Sequence, residues 1–296
     1  MGFKEAFDKK DFVVTVEVPP PKGTNVIPNL DIAKRLLGRV DGINVTDNQR
    51  GIMRMCPMAF SHLLKEMGHD PIMQICARDR NRLALQSDIL GASALGIENI
   101  CIMTGDHPKL GDHPDAKPVF DIDSIQLIKV VKELENGFSM AGKKIDGAPK
   151  FLVGGVVNPF FEPFELELIK LEKKIGAGAE FFQTQPFFER ESLERFFEKV
   201  SNIDTKFLIG VSPLKSVKMI IFLNEKVLAR KIPENIAKRI EASDNQIEEG
   251  VRLSAEFIRE IKGVINGSAG SPCRGIHIMP IGIESYLPHL LEEAGL

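Results

Sequence analysis

Eight short runs rich in β-branched and aromatic residues punctuate the chain, and what separates them is helical periodicity rather than tight hairpin turns. The runs cover residues 12–17, 42–45, 72–77, 99–104, 151–158, 181–185, 207–213 and 275–280. Most are almost continuously apolar, which is the pattern of parallel strands covered on both faces. In the gaps, Phe164, Leu168, Leu171 and Ile175 recur with helical spacing, as do Leu193, Phe196, Phe197 and Val200. Each such segment has one apolar stripe to lay against a sheet. Two further helical patterns lie between the seventh and eighth runs, one with Pro233 in its first turn and one carrying Ile247, Val251, Ile258 and Ile261. Eight βα repeats in 296 residues, with no proline- or serine-rich linker, predict an α/β fold. The expected form is a (β/α)8 TIM barrel forming one domain over residues 1–296, with an extra helix before the last strand. No G-x-G-x-x-G follows a strand, which weighs against a Rossmann dinucleotide site.

Composition narrows the partners. A formal net charge of −3 supplies no basic field for nucleic acid, so a small-molecule ligand is expected. The longest apolar stretches fall well short of the ~20 residues that a membrane span requires. The first residues mix acidic and basic side chains without an apolar leader core, and a cytoplasmic location is expected. Cys56, Cys76, Cys101 and Cys273 are scattered and form no C-x-x-C pair, which reads as free thiols rather than a zinc knuckle or disulfide framework.

In a parallel barrel the chemistry gathers at the C-terminal ends of the strands. Here those ends are polar: Glu17, then Thr46-Asp47-Asn48, Gln74 followed by Arg78-Asp79, Thr104-Gly105-Asp106-His107, Asn158, Gln183-Thr184-Gln185, Ser212, and His277 on the last run. Glu17 precedes Val18 and three prolines that end strand pairing, a placement that suits a general acid and equally suits a glutamate paired with a nearby lysine or arginine. Gln183 and Gln185 are two apart, so they face one side of a strand and carry amides that a ligand can satisfy. The stretch Arg78-Asp79-Arg80-Asn81-Arg82 reads either as a phosphate clamp at a helix start or as a solvated turn with a capping aspartate. Gly105-Asp106-His107-Pro108 and Gly111-Asp112-His113-Pro114 repeat one pattern. No metal is expected there, because aspartate and histidine in proline-bounded loops satisfy each other locally. His277, between two isoleucines, reads as a hydrogen-bonded core histidine.

The ordered segments FVVTVEVPPPKG, DGINVTDN, QICARDRNRLALQSDILGASALGI, ICIMTGDHP, GDHPDAKPVFDIDSI, KKIGAGAEFFQTQPFF and GIHIMPIG resemble the methylenetetrahydrofolate reductase family over nearly the whole chain. The resemblance implies a (β/α)8 barrel that binds FAD, with FMN as the alternative, along the strand ends. It implies flavin-mediated hydride transfer that turns 5,10-methylenetetrahydrofolate into 5-methyltetrahydrofolate, a step that feeds methionine biosynthesis. The flavin is then reduced by NADH, by NADPH or by an iron–sulfur partner protein. Residue by residue, Glu17 matches the family's catalytic glutamate, and Asp106 matches an aspartate near flavin and pterin. Gln185 matches a glutamine that contacts folate and nicotinamide in turn, with Gln183 beside it. Thr46, Gln74, Thr104, Glu167 and Lys174 fall at cofactor-contact positions, and Asp121 and Asp123 lie in the segment expected near the flavin phosphate and ribityl chain. Gln74, Thr104 and Gly154 depart from well-known bacterial members, which carry histidine, arginine and an aromatic residue there. A homo-oligomer is expected, and no S-adenosylmethionine-responsive domain. The competing readings are a pterin-binding barrel methyltransferase, which needs no flavin, and a redox subunit that depends on a partner.

Overall fold

A computed structural model describes residues 2–267 and 271–296. Eight parallel strands close on themselves in sequence order: β1 (Val13–Glu17), β2 (Gly42–Val45), β3 (Pro71–Cys76), β4 (Asn99–Met103), β5 (Leu152–Val157), β6 (Phe181–Pro186), β7 (Phe207–Val211) and β8 (Cys273–Ile278). β8 pairs back onto β1 through Val14↔Ile276 and Thr15↔His277. The expected (β/α)8 barrel is what forms.

Helices alternate with the strands: α2 (Ile27–Leu36), α3 (Pro57–Glu66), α4 (Arg82–Ala94), α5 (Ser124–Glu135), α6 (Phe164–Ala177) and α7 (Arg190–Lys199) follow β1 to β6 in turn. Three helices follow β7, namely α8 (Val217–Lys226), α9 (Glu234–Glu241) and α10 (Gln246–Gly267), and α11 (Leu287–Glu293) follows β8. The two helical patterns read after the seventh run are α9 and α10, and α8 precedes them. Pro233 is the residue before α9 rather than its first turn.

Side chains alternate across the barrel wall, as the two-residue period of a strand demands. Val14, Val16, Ile43, Val45, Ile75, Ile100 and Ile102 point out and join the main core under the helices. The other set points into the lumen, in layers. The lowest layer is apolar: Val13, Ile72, Cys101, Leu152, Phe181 and Leu208. Beneath it a helix that the periodicity did not announce, α1 (Phe3–Lys9), plugs the barrel with Phe3 and Phe7. Phe181 meets both rings, with centroids 5.5 and 5.4 Å away. The plug is tied down by Arg274, whose guanidinium donates to the carbonyls of Phe7 and Asp8 at 3.1 and 3.2 Å.

Above this floor the lumen turns polar, with Thr15, Asn44, Gln74, Gln183 and His277 all buried. Gly154 belongs to the barrel interior and not to its mouth. A Cβ there would overlap the Phe181 ring, so the missing side chain makes room for the floor.

Among the described residues, every non-glycine residue with positive φ lies in a loop beyond a strand's C-terminal end: Asn48 and Arg50 after β2, Phe120 after β4 and Ile281 after β8. Strained backbone concentrates where function is carried, and this face is where the polar strand ends gather. No described helix is long and apolar enough to cross a membrane.

Candidate active site

Glu17 ends β1 facing the lumen and is 6% exposed. Gln74 Nε2 on β3 donates to Glu17 Oε1 at 3.3 Å, and Gln49 Nε2, from the turn after β2, donates to Oε2 at 3.4 Å. His277 Nε2 on β8 lies 3.6 Å from Glu17 Oε1. The far nitrogen of that ring, Nδ1, sits 3.0 Å from Thr15 Oγ1, whose hydroxyl also lies 3.2 Å from the Ile276 carbonyl oxygen. Of the two readings of Glu17, pairing with lysine or arginine is therefore set aside. Its described partners are two amides and an imidazole.

Gln183 does not wait for a ligand. Across the lumen it exchanges two hydrogen bonds with Asn44, Asn44 Nδ2 to Gln183 Oε1 at 2.8 Å and Gln183 Nε2 to Asn44 Oδ1 at 3.0 Å. This buried amide pair lies under Glu17's layer and engages one donor and one acceptor of Gln183 with protein. Gln185, two residues on, is exposed at the rim. A register shift between Gln183 and Pro186 lifts the end of β6, and the Thr184 hydroxyl holds that irregularity by donating to the Gln185 carbonyl and accepting from Gly210 N, each at 2.8 Å.

Asp106 follows Gly105 beyond β4 and is exposed. Gly105 has φ +90°, and a Cβ there would overlap the Cys76 sulfur, so only glycine fits this turn. Burial pushes the Cys76 thiol up to about 11, which makes it an inert packing group under the turn. Among the described residues the Asp106 carboxylate has no hydrogen-bond or ion-pair partner.

The cofactor positions divide. Thr46 follows β2 next to Gln74 in the sheet, is fully buried, and its Oγ1 has no hydrogen-bond partner. A buried orphan hydroxyl at the mouth is a polar group that a ligand's edge could satisfy. Thr104 instead accepts from Ser124 N at 3.2 Å and docks the start of α5. Asp123 caps α5 by accepting from Gln126 N at 2.8 Å. Asp121 takes Arg82 in a fork, with Nε at 2.8 Å and Nη2 at 2.9 Å, and the guanidinium holds its carboxyl down at about 2. Glu167 accepts from Asn158 N at 2.9 Å, and Lys174 Nζ donates to the Val156 carbonyl at 2.6 Å. Burial between α6 and the sheet lowers the Lys174 pKa, against the pull of Glu167. These five residues shape the walls after β4 and β5, each already engaged by protein.

The turn from Arg78 to Arg82 is solvated only in part, with Asp79, Asn81 and Arg82 exposed. Arg78 is 2% exposed, and Arg80 is closed in by Asp47 at 2.6 Å and Asp88 at 2.8 Å. Each arginine is matched to carboxylates within the chain, so none is left as a phosphate clamp, and the residue that caps α4 is Asn81. In the second Gly-Asp-His-Pro turn, Asp112 accepts from Met53 N and lies 2.9 Å from its neighbour His113. Among the described residues no three His, Cys, Asp or Glu side chains gather as a metal site.

Sequence reasoning passed over Thr15, Asn44 and Gln49 and treated His277 only as a core residue. The signal for the first two was present as polar residues at alternate positions of otherwise apolar strands, Thr15 two before Glu17 and Asn44 two before Thr46. Gln49 carries no such signal, because its approach to Glu17 depends on the strained turn at Asn48 and Arg50.

Comparison with known proteins agrees with this geometry. A protein named probable methylenetetrahydrofolate reductase (NADPH) from Caenorhabditis elegans is 25% identical over 304 residues, covering 98% of this chain and 43% of that protein. The 5,10-methylenetetrahydrofolate reductase of Salmonella typhimurium is 25% identical over 173 residues, 58% of this chain and 53% of the relative. The chain thus spans about half the length of these curated relatives, or less. Among solved structures, an uncharacterized Clostridium thermocellum protein that binds two copies of 5-methyl-5,6,7,8-tetrahydrofolic acid superposes with a TM-score of 0.68 at 18% identity, covering 98% of this chain and 96% of the other. The sequence model of methylenetetrahydrofolate reductase matches residues 2–295, and the chain belongs to that family.

Proposed function

We propose that the chain reduces 5,10-methylenetetrahydrofolate to 5-methyltetrahydrofolate, with Glu17 as the general acid. The observation that carries this reading is a lumen-facing carboxyl held by Gln74, Gln49 and His277 at the open end of a barrel of this family. The bound methyltetrahydrofolate of the Clostridium thermocellum relative supports the substrate class.

The bridging methylene accepts a hydride only after its ring opens to an iminium cation, and opening requires a proton on the departing folate N10. Glu17 supplies that proton. Gln74 and Gln49 fix the orientation of its two oxygens, and the Thr15–His277 pair steadies its inner side. Asp106, exposed and without a described partner, is placed to stabilise the cationic iminium and bond the pterin. Gln185 at the rim presents both a donor and an acceptor to the same ligand.

The support for a flavin at the mouth is the family and the Thr46 hydroxyl, buried and unpartnered beside Gln74. When bound, the flavin would supply the hydride, replenished by NADH, NADPH or an iron–sulfur protein. The test is anaerobic incubation with methylenetetrahydrofolate and each donor. Formation of 5-methyltetrahydrofolate, strongly reduced by Glu17→Gln, is the expected result. Full activity in that variant would remove Glu17 from the role.

A further inference from the structure

Arg78 is the largest fully buried side chain described, and the proposed reaction makes no direct use of it. Its place is the short turn that follows β3, and its fork reaches three segments. Nε and Nη2 donate to Asp79 Oδ1 and Oδ2 at 2.7 and 2.6 Å. Nη2 also donates to the Asn48 carbonyl at 3.1 Å, beyond β2, and Nη1 donates to the Asp106 carbonyl at 3.1 Å, beyond β4. The backbone carbonyl of Arg78 meanwhile accepts from Val119 N at 2.8 Å. One residue therefore grips the segment between Asp106 and Val119 at both ends. A buried guanidinium bearing one carboxylate and two carbonyls is costly to desolvate, and its geometry is lost with any shorter or non-planar cation.

We propose that Arg78 is a positioning residue that fixes the Asp106 turn, and with it the carboxylate that faces the folate. The role in catalysis rests on the proposed reductase reading; the grip on the segment does not. Lysine keeps the charge but offers no planar fork, so it cannot hold Asp79, Asn48 and Asp106 together.

The experiment uses the full chain, reconstituted with FAD, and compares wild type, Arg78→Lys, Asp106→Asn and the double variant. Displacement of a group by about an ångström can cost on the order of a hundredfold, so Arg78→Lys is expected to lower kcat for folate reduction by about that factor, with a smaller change in KM. Because Arg78 acts through Asp106, the double variant should be no slower than the slower single one. Amide exchange over residues 107–119 should quicken in Arg78→Lys, while β1 and β8 stay protected. Losses that multiply in the double variant, or unchanged exchange over that segment, would overturn the proposal. If Arg78→Lys does not fold, Asp79→Asn removes the carboxylate that anchors the guanidinium and must give the same exchange pattern, or the proposal fails. A wild type that reduces no folate would count against the reductase reading alone, and the exchange measurement would still decide whether Arg78 holds the segment.

Discussion

At the scale of single residues, the lumen is decided by who satisfies whom. Glu17, buried among amides and an imidazole, differs from buried carboxylates such as Asp47 and Glu249, which meet arginine. Glu17→Gln preserves shape but removes the proton and turns one accepting oxygen into a donor, so folate reduction should fall by about 10²–10⁴-fold while reduction of bound flavin by its donor is spared. Rapid mixing of each half-reaction separates the two. The Asn44–Gln183 pair makes a different prediction. Asn44→Ala leaves a buried amide without its partner and should cost about 1–3 kcal/mol in chemical denaturation; no loss would mean the pair is dispensable. His69 gives a pH signature. Its Nε2 lies 2.8 Å from the Ala33 carbonyl, and burial holds its pKa below the usual 6.5. The folded state thus disfavours the protonated ring, so its contribution to stability is complete above about pH 6.5 and is lost as pH falls toward the lowered value. The fall in Tm between about pH 7.5 and 5.5 should be smaller in His69→Gln than in wild type.

At the scale of elements, the strands were legible because parallel barrel strands carry apolar residues on the helix-facing side, with lumen residues that are small, apolar or amide. β2 was read at its observed limits, whereas β8 begins two residues earlier than its apolar run, since Cys273 already pairs with Phe207 and an irregularity follows at Gly275. α1 was not legible. Its seven residues, FKEAFDK, have too little periodicity to announce a helix, and its purpose appears only when Phe3 and Phe7 meet Phe181. Phe7→Ala should cost about 3–5 kcal/mol, as for other buried aromatic truncations, read as a lowered denaturation midpoint. A loss below 1 kcal/mol would show the plug to be peripheral. The site was legible in part. Glu17, Thr46, Asp106 and Gln185 stand at the mouth as expected. Thr104, Asp121, Asp123, Glu167 and Lys174 hold caps, turns and walls, partners the sequence did not show because residue type at a strand end does not reveal which protein group reaches it.

At the scale of the whole molecule, the barrel divides its labour by height. The α1 plug and the aromatic layer close one end, the amide and imidazole layer forms a polar floor, and the loops after β2, β4 and β8 carry the strained backbone at the other end. Arg78 joins two of those loops from beneath. In the proposed reaction this open end carries a two-step transfer, from electron donor to flavin and from flavin to folate, with Glu17 serving only the second. The most direct measurement is the visible spectrum of the FAD-reconstituted protein under anaerobic conditions, followed during addition of donor and then of methylenetetrahydrofolate. The account predicts bleaching by the donor and return of colour on adding folate, with Glu17→Gln bleaching normally and failing to recover. Failure to bind flavin at all, or recovery at the wild-type rate in Glu17→Gln, would contradict it.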